Sequence, residues 1–263
     1  MRRGIFALVV SAVGTAVLPL SPPDARAAVT AHAVEYKQGD TVLQGYVAAD
    51  DAIKGKRPGI VVFPDWSGVT DYAEARARKL AALGYVVLVG DFYGKGIRPK
   101  NAQESLAAIG KFQAEPGLLK ARYDAALRQL RADPRVDQKK LVAMGYCFGA
   151  RPALGLARDG ADLVATVTFH GDVANPAPAS AKNINGHVLA FWGANDPHVP
   201  AKAMDAFADE MRQSHADWEI VTYANTVHSF TNPNVHSDSD AYNAVADRRS
   251  WQQMRGFLRE VLR

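Results

Sequence analysis

Short apolar runs recur along this chain and alternate with longer stretches of helical periodicity. "GIVVF" at residues 59–63 is the clearest, with no polar residue on either side of the run, as in a strand covered on both faces. The helical pattern "DYAEARARKLAALG" follows, ends at Gly84, and gives way to a second buried run, "YVVLVGDFYG". Residues 101–133 carry two helical stretches around Pro116 and Gly117. "LVAMG" then reads as a strand and "FGARPALGLARDG" as a helix with its glycine stop. The alternation continues through "LVATVTFHG", "HVLAFWGANDPHVP", a helix from about Ala201 to His215, "WEIVTYANTVHSF" and a last helix from about Ala241. Repeated strand–helix–strand units lay their strands parallel in one sheet. Ahead of them, His32–Tyr36 and Thr41–Val47 flank "QGD" as an antiparallel hairpin. The expectation is an α/β fold: a mostly parallel central sheet, an N-terminal hairpin, and helices on both faces. No repeat, low-complexity tract or linker marks a second domain.

The first 27 residues read differently. "MRRGIFALVVSAVGTAVLPLSPPDARA" has a basic start, an apolar run to about Leu20, two prolines and a small-x-small end. That order is expected of a secretory signal peptide cut near Ala27 or Ala28. The apolar run is short for a span of roughly 20 residues and has no basic flank behind it. Residues 28–263 would then form one domain, in the bacterial periplasm or secreted. The leader holds three arginines and one aspartate, half of the formal net charge of +4. What is left carries no charge signature of a nucleic-acid partner. A small molecule is the expected partner, with a monomer or weak dimer in solution and no membrane span after cleavage.

Cys147 is the one cysteine of the chain, so an internal disulfide is excluded. It sits in "GYCFG", between a strand and a helix. A nucleophile elbow needs this pattern: the turn is sharp, the flanking glycines remove side-chain bulk, and the helix N-terminus favours a thiolate. A thiol nucleophile needs a base and a group that orients the base. Asp196 in "FWGANDPHVP" and His228 in "YANTVHSF" follow in the order nucleophile, acid, histidine, each just past a strand. At the carboxyl ends of parallel strands, with Asp65, Tyr93 and His170, they stand where such sheets gather ligands. Each has an ordinary alternative: Asn-Asp-Pro is turn chemistry, and His228 is compatible with a half-exposed loop position. His198 is too close in sequence to Asp196 to face it, and His170 in "TFHGD" ranks second as base. His32, His187, His215 and His236 lie on edges or polar stretches. No pair has zinc spacing, and no metal or other cofactor is expected.

"GYCFGA", "GANDPHVP" and "HSFTNP", in this order on this pattern, resemble the dienelactone hydrolase family, a cysteine-using branch of the α/β-hydrolases. The likeness runs from about residue 32 to the C-terminus. It implies a carboxylic ester or lactone hydrolase with Cys147 as nucleophile, His228 as general base and Asp196 as its orienting acid. It also implies an oxyanion hole from the backbone N–H groups of Phe148 and Trp66. The family keeps an acidic residue, usually glutamate, that holds the resting thiol, and here Asp65 in "VVFPDWSGV" has that place, one methylene shorter. A turn or N-cap role for Asp65 is the alternative. The family's archetype clamps a substrate carboxylate with arginines, one of them four residues past the histidine. That position is Asn232, and no arginine lies between Arg98 and Arg122. The expectation is an arginine-free pocket for neutral or apolar substrates, walled by Trp66, Tyr93, Phe148 and Phe230, with His170 nearby. A non-catalytic ligand-binding protein and a redox-sensing thiol on the same fold are the rival readings.

Overall fold

The computed structural model describes Met1, residues 28–115 and residues 117–263. The expected signal peptide and its cleavage site therefore lie almost wholly outside the described residues.

Among the described residues eight strands form one sheet: β1 (Val29–Gln38), β2 (Thr41–Asp50), β3 (Arg57–Phe63), β4 (Val86–Val89), β5 (Val136–Tyr146), β6 (Ala165–Phe169), β7 (His187–Gly193) and β8 (Asp217–Tyr223). Their spatial order is β1-β2-β4-β3-β5-β6-β7-β8. β1 pairs antiparallel with β2, and β2 antiparallel with β4, while every pair from β4 to β8 is parallel. The hairpin closes over Gly39 in left-handed backbone, with Gln38 opposite Thr41. Its strands are longer than the alternation alone indicated, because β1 and β2 stay in register over their full lengths.

The helices are α1 (Asp71–Ala81), α2 (Ala102–Ala114), α3 (Leu118–Ala132), α4 (Ala150–Arg158), α5 (Ala201–Gln213) and α6 (Ala244–Val261). Two large apolar clusters lie on the two faces of the sheet. One joins Ala77 and Leu80 of α1 and Met254 and Leu258 of α6 to Ile60, Val62, Val142 and Val167. The other joins Leu127 and Leu130 of α3 to Val61, Leu88, Leu141 and Ala143. Alternate residues of β3 thus enter opposite layers, which is why the run at 59–63 has no polar position. The last helix begins at Ala244, later than the periodicity from Ala241 suggested, because Asn243 caps it by accepting the N–H groups of Val245 and Ala246. None of the described helices is long and apolar enough to cross a membrane.

Candidate active site

The strand-to-helix junction after β5 is as sharp as its composition demanded. Cys147 has φ 52°, a left-handed conformation that a non-glycine residue adopts only under local constraint. A Cβ on Gly145 would stand 2.3 Å from the Gly149 carbonyl oxygen, and one on Gly149 would stand 2.1 Å from that of Phe63. Both glycines are therefore required by close backbone approach at the turn itself. One turn of 3-10 helix, Cys147–Gly149, leads into α4. The thiol ends up partly exposed while its neighbours Tyr146 and Gly149 are buried.

The loops after β7 and β8 bring the next two residues together. His228 Nδ1 donates to Asp196 Oδ2 at 2.7 Å, and the two side chains are 5% and 0% exposed. Asp196 is itself fixed, since Oδ1 accepts the backbone N–H groups of His198 at 2.8 Å and Val199 at 3.0 Å. The loop before α6 clips the histidine backbone: His228 N–H donates to Ser239 O, and its carbonyl accepts from Ala241 N–H. With Nδ1 taken, Nε2 is the nitrogen left for Cys147. Burial pulls the His228 pKa down, but the charge of Cys147 and hydrogen bonds to Asp196 and Cys147 raise it to about 10. The imidazole is therefore favoured in its protonated form.

These groups open onto a cavity of about 270 Å³. One wall is apolar: Trp66, Ile109, Phe112, Leu119 and Phe148. Phe112 of α2 stacks on Phe148 at 5.9 Å between centroids, and Phe92 meets Phe148 edge-on at 5.6 Å. The other wall is polar, with Arg151, Asp172, His198 and Asp240. Arg151 is ion-paired with Asp172, and His198 Nε2 lies 2.9 Å from Asp240 Oδ2. The His198 ring also packs edge-on against His228, 5.0 Å between centroids. Among the described residues no group of three His, Cys, Asp or Glu could hold a metal ion.

The dienelactone hydrolase family model matches residues 43–262. The chain belongs to the dienelactone hydrolase family. It is thereby a hydrolase of the ester and lactone class. A crystal structure of a dienelactone hydrolase-like promiscuous phosphotriesterase from metagenomic libraries is similar to it at 38% identity and TM-score 0.86, covering 90% of this chain and all of that one. An uncharacterized Caenorhabditis elegans protein is 35% identical over 151 residues, 55% of this chain and 95% of its own. A candidate carboxymethylenebutenolidase of Yersinia pestis is 27% identical over 229 residues, 82% of this chain and 83% of its own.

Within the family frame, several expected site residues stand elsewhere. Asp65 accepts the backbone N–H of Ser67 at 2.8 Å, the turn role, and it does not line the cavity. Burial raises its pKa, opposed by its Ser67 bonds and the His228 charge. Tyr93 lies outside the cavity lining and donates its hydroxyl to the Trp66 carbonyl at 2.6 Å, steadying the loop rather than walling the pocket. Phe230 is fully buried against Tyr223 and His170. His170 is buried behind His228 and does not line the cavity either. Trp66 and Phe148 do line it.

The pocket is not arginine-free, which corrects the expectation from positions 98–122 and 232. Arg151, four residues past the thiol on α4, reaches it and pairs there with Asp172, both side chains staying partly exposed. The elbow places residue 151 on the turn of α4 facing the mouth, so the C-x-x-x-R spacing was the available signal. Ile109, Phe112 and Leu119 were not singled out from sequence, because nothing local tells which face of α2 or α3 covers a site on another strand. Asp240 had no signal at all, since its place depends on the loop that clips His228.

Proposed function

We propose that the chain is an exported carboxylic ester or lactone hydrolase acting through Cys147, His228 and Asp196. The observation that carries this reading is one arrangement: a partly exposed, left-handed thiol at the elbow and a buried imidazole clamped by Asp196 at 2.7 Å, opening on the same cavity. The thiolate of Cys147 attacks the substrate carbonyl carbon, and the oxyanion forms against the N–H groups of Phe148 and Trp66. The carbon–oxygen bond to the alcohol breaks, and the alcohol departs with the proton of His228 Nε2. Water then gives a proton to Nε2 and attacks the thioester, the carbon–sulfur bond breaks, and the acid leaves with thiolate and imidazolium restored. Asp196 holds the ring and supports its charge throughout. In this reading Asp65 shapes the loop that carries the Trp66 amide, because its carboxylate is turned onto Ser67.

The favoured substrates are neutral or apolar. Trp66, Ile109, Phe112, Leu119 and Phe148 offer surface for an acyl chain or ring, and Arg151 already has Asp172 as its ion-pair partner. Export rests on the composition of residues 1–27.

The test is a panel of short p-nitrophenyl esters, neutral lactones, carboxylate-bearing lactones and phosphotriesters, the last because a similar structure bears that activity. Neutral esters and lactones should be turned over and carboxylate-bearing ones poorly. Cys147→Ala should abolish turnover and Cys147→Ser should leave a small residue of it. Wild-type rates in Cys147→Ala would sink the reading.

A further inference from the structure

A hydrogen-bonded chain lies behind His228 that the proposed triad does not use. His170 ends β6 in left-handed backbone, φ 40°, and its ring packs on His228 at 5.2 Å between centroids. Its Nε2 lies 2.7 Å from Thr231 Oγ1, which lies 2.6 Å from the hydroxyl of Tyr72. The Tyr72 oxygen accepts from Arg76 Nε at 3.2 Å, and Arg76 Nη2 donates to the Thr231 carbonyl and to Asp247. His170 Nδ1 is buried without a hydrogen-bond partner.

One arrangement of the protons gives every hydroxyl of this chain an acceptor. A guanidinium only donates, so the Tyr72 oxygen is the acceptor toward Arg76. The Tyr72 proton then has Thr231 Oγ1 as its acceptor among the described partners, and burial pushes that phenol up to about 12. Thr231, having accepted from Tyr72, gives its own proton to His170 Nε2. The bare nitrogen is therefore Nε2, and the neutral ring carries its proton on Nδ1, the atom with no partner. A proton on Nε2 would leave Thr231 Oγ1 accepting from both Tyr72 and His170, with no acceptor for its own proton among the described partners.

We infer that the Arg76–Tyr72–Thr231 chain locks His170 as the neutral Nδ1–H tautomer, making it a positioning residue that backs the ring of His228 without setting a second positive charge beside it. The inference rests on the triad reading only in taking His228 as the imidazole that carries the working proton. The ionisable groups around His170 are His228 after β8, Arg76 and Tyr72 on α1, Tyr146 at the end of β5 and, through Arg76, Asp247 on α6. Burial first, then the charges of His228 and Arg76, push the His170 imidazole well below its ordinary range, in the same direction.

Nitrogen-15 NMR of the histidine-labelled protein reads the tautomer directly. The His170 signals should show a bare Nε2 and a protonated Nδ1, unchanged from about pH 5 to pH 9, a window that spans the ordinary histidine pKa. An Nε2–H tautomer or a titration in that window overturns the inference. Tyr72→Phe frees the Thr231 hydroxyl to turn, so His170 should remain neutral but show a measurable share of the Nε2–H tautomer in the same spectrum. A Tyr72→Phe spectrum identical to that of the wild type overturns the inference, because the tautomer would then owe nothing to the chain. The NMR reading needs no turnover, so it stands apart from a failure of the triad, which Cys147→Ala reports.

Discussion

Two histidine–aspartate pairs reach the same cavity, and their lengths hardly distinguish them. His228–Asp196 measures 2.7 Å and His198–Asp240 measures 2.9 Å. Their surroundings differ much more. The first pair is 5% and 0% exposed, the second 52% and 27%. An exposed pair is screened by water and contributes about 0–1 kcal/mol, whereas removing one member of a buried pair strands the other charge, at about 3–5 kcal/mol. The partners follow suit. Asp196 also accepts two backbone N–H groups that fix its carboxylate. For Asp240, burial alone would raise the carboxyl pKa, but hydrogen bonds from Ser239 and His198 and the nearby imidazole charges hold it below the usual range. In the proposed mechanism, burial and a fixed carboxylate, rather than a place on the cavity, set His228–Asp196 apart from His198–Asp240.

The sharpest break of this comparison is Asp196→Asn. An amide in place of the buried acceptor leaves His228 free to take the wrong tautomer, and kcat should drop about 10⁴-fold with KM little changed. Equal losses from Asp196→Asn and Asp240→Asn would erase the distinction. Next in size is a stability effect. The folded-state pKa of His228 is raised from 6.5 to about 10, so its contribution to stability is fully present below about pH 6.5 and is lost as pH rises through about 10. Urea midpoints should fall across that window in the wild type, and the fall should flatten in Cys147→Ala, which removes the charge that raises the imidazole. A slope identical in both proteins would deny that the sulfur and the ring are paired. The smallest effect belongs to the exposed pair. His198→Gln should lower kcat/KM by no more than about fivefold, in line with the energy of an exposed pair. A loss of a thousandfold would promote His198 to the machinery itself.

Much of this was legible along the chain because the features were local. A buried parallel strand must be apolar at every position, so β3 and β4 announced themselves. The elbow glycines announced the turn, because no other residue fits beside the carbonyls of Gly149 and Phe63. Asp196 and His228 were found because the strand order places their loops at the same sheet edge as Cys147. Tyr93 and Phe230 misled for the converse reason: an aromatic next to a motif has the same composition whether it walls a pocket or fills a core. Asp65 had a carboxylate at the expected place, yet Ser67 N–H two residues on offered a nearer partner.

What the residues by themselves determined is the α/β order, the turn at Cys147 and the identity of the three groups that meet there. What only the tertiary structure decided is who faces whom. The apolar wall comes largely from α2 and α3, Arg151 pairs with a loop after β6, and the state of His170 follows from an arginine on α1. Such pairings join residues far apart in sequence, and neither propensity nor periodicity carries information about distance in space. Packing alone supplies it.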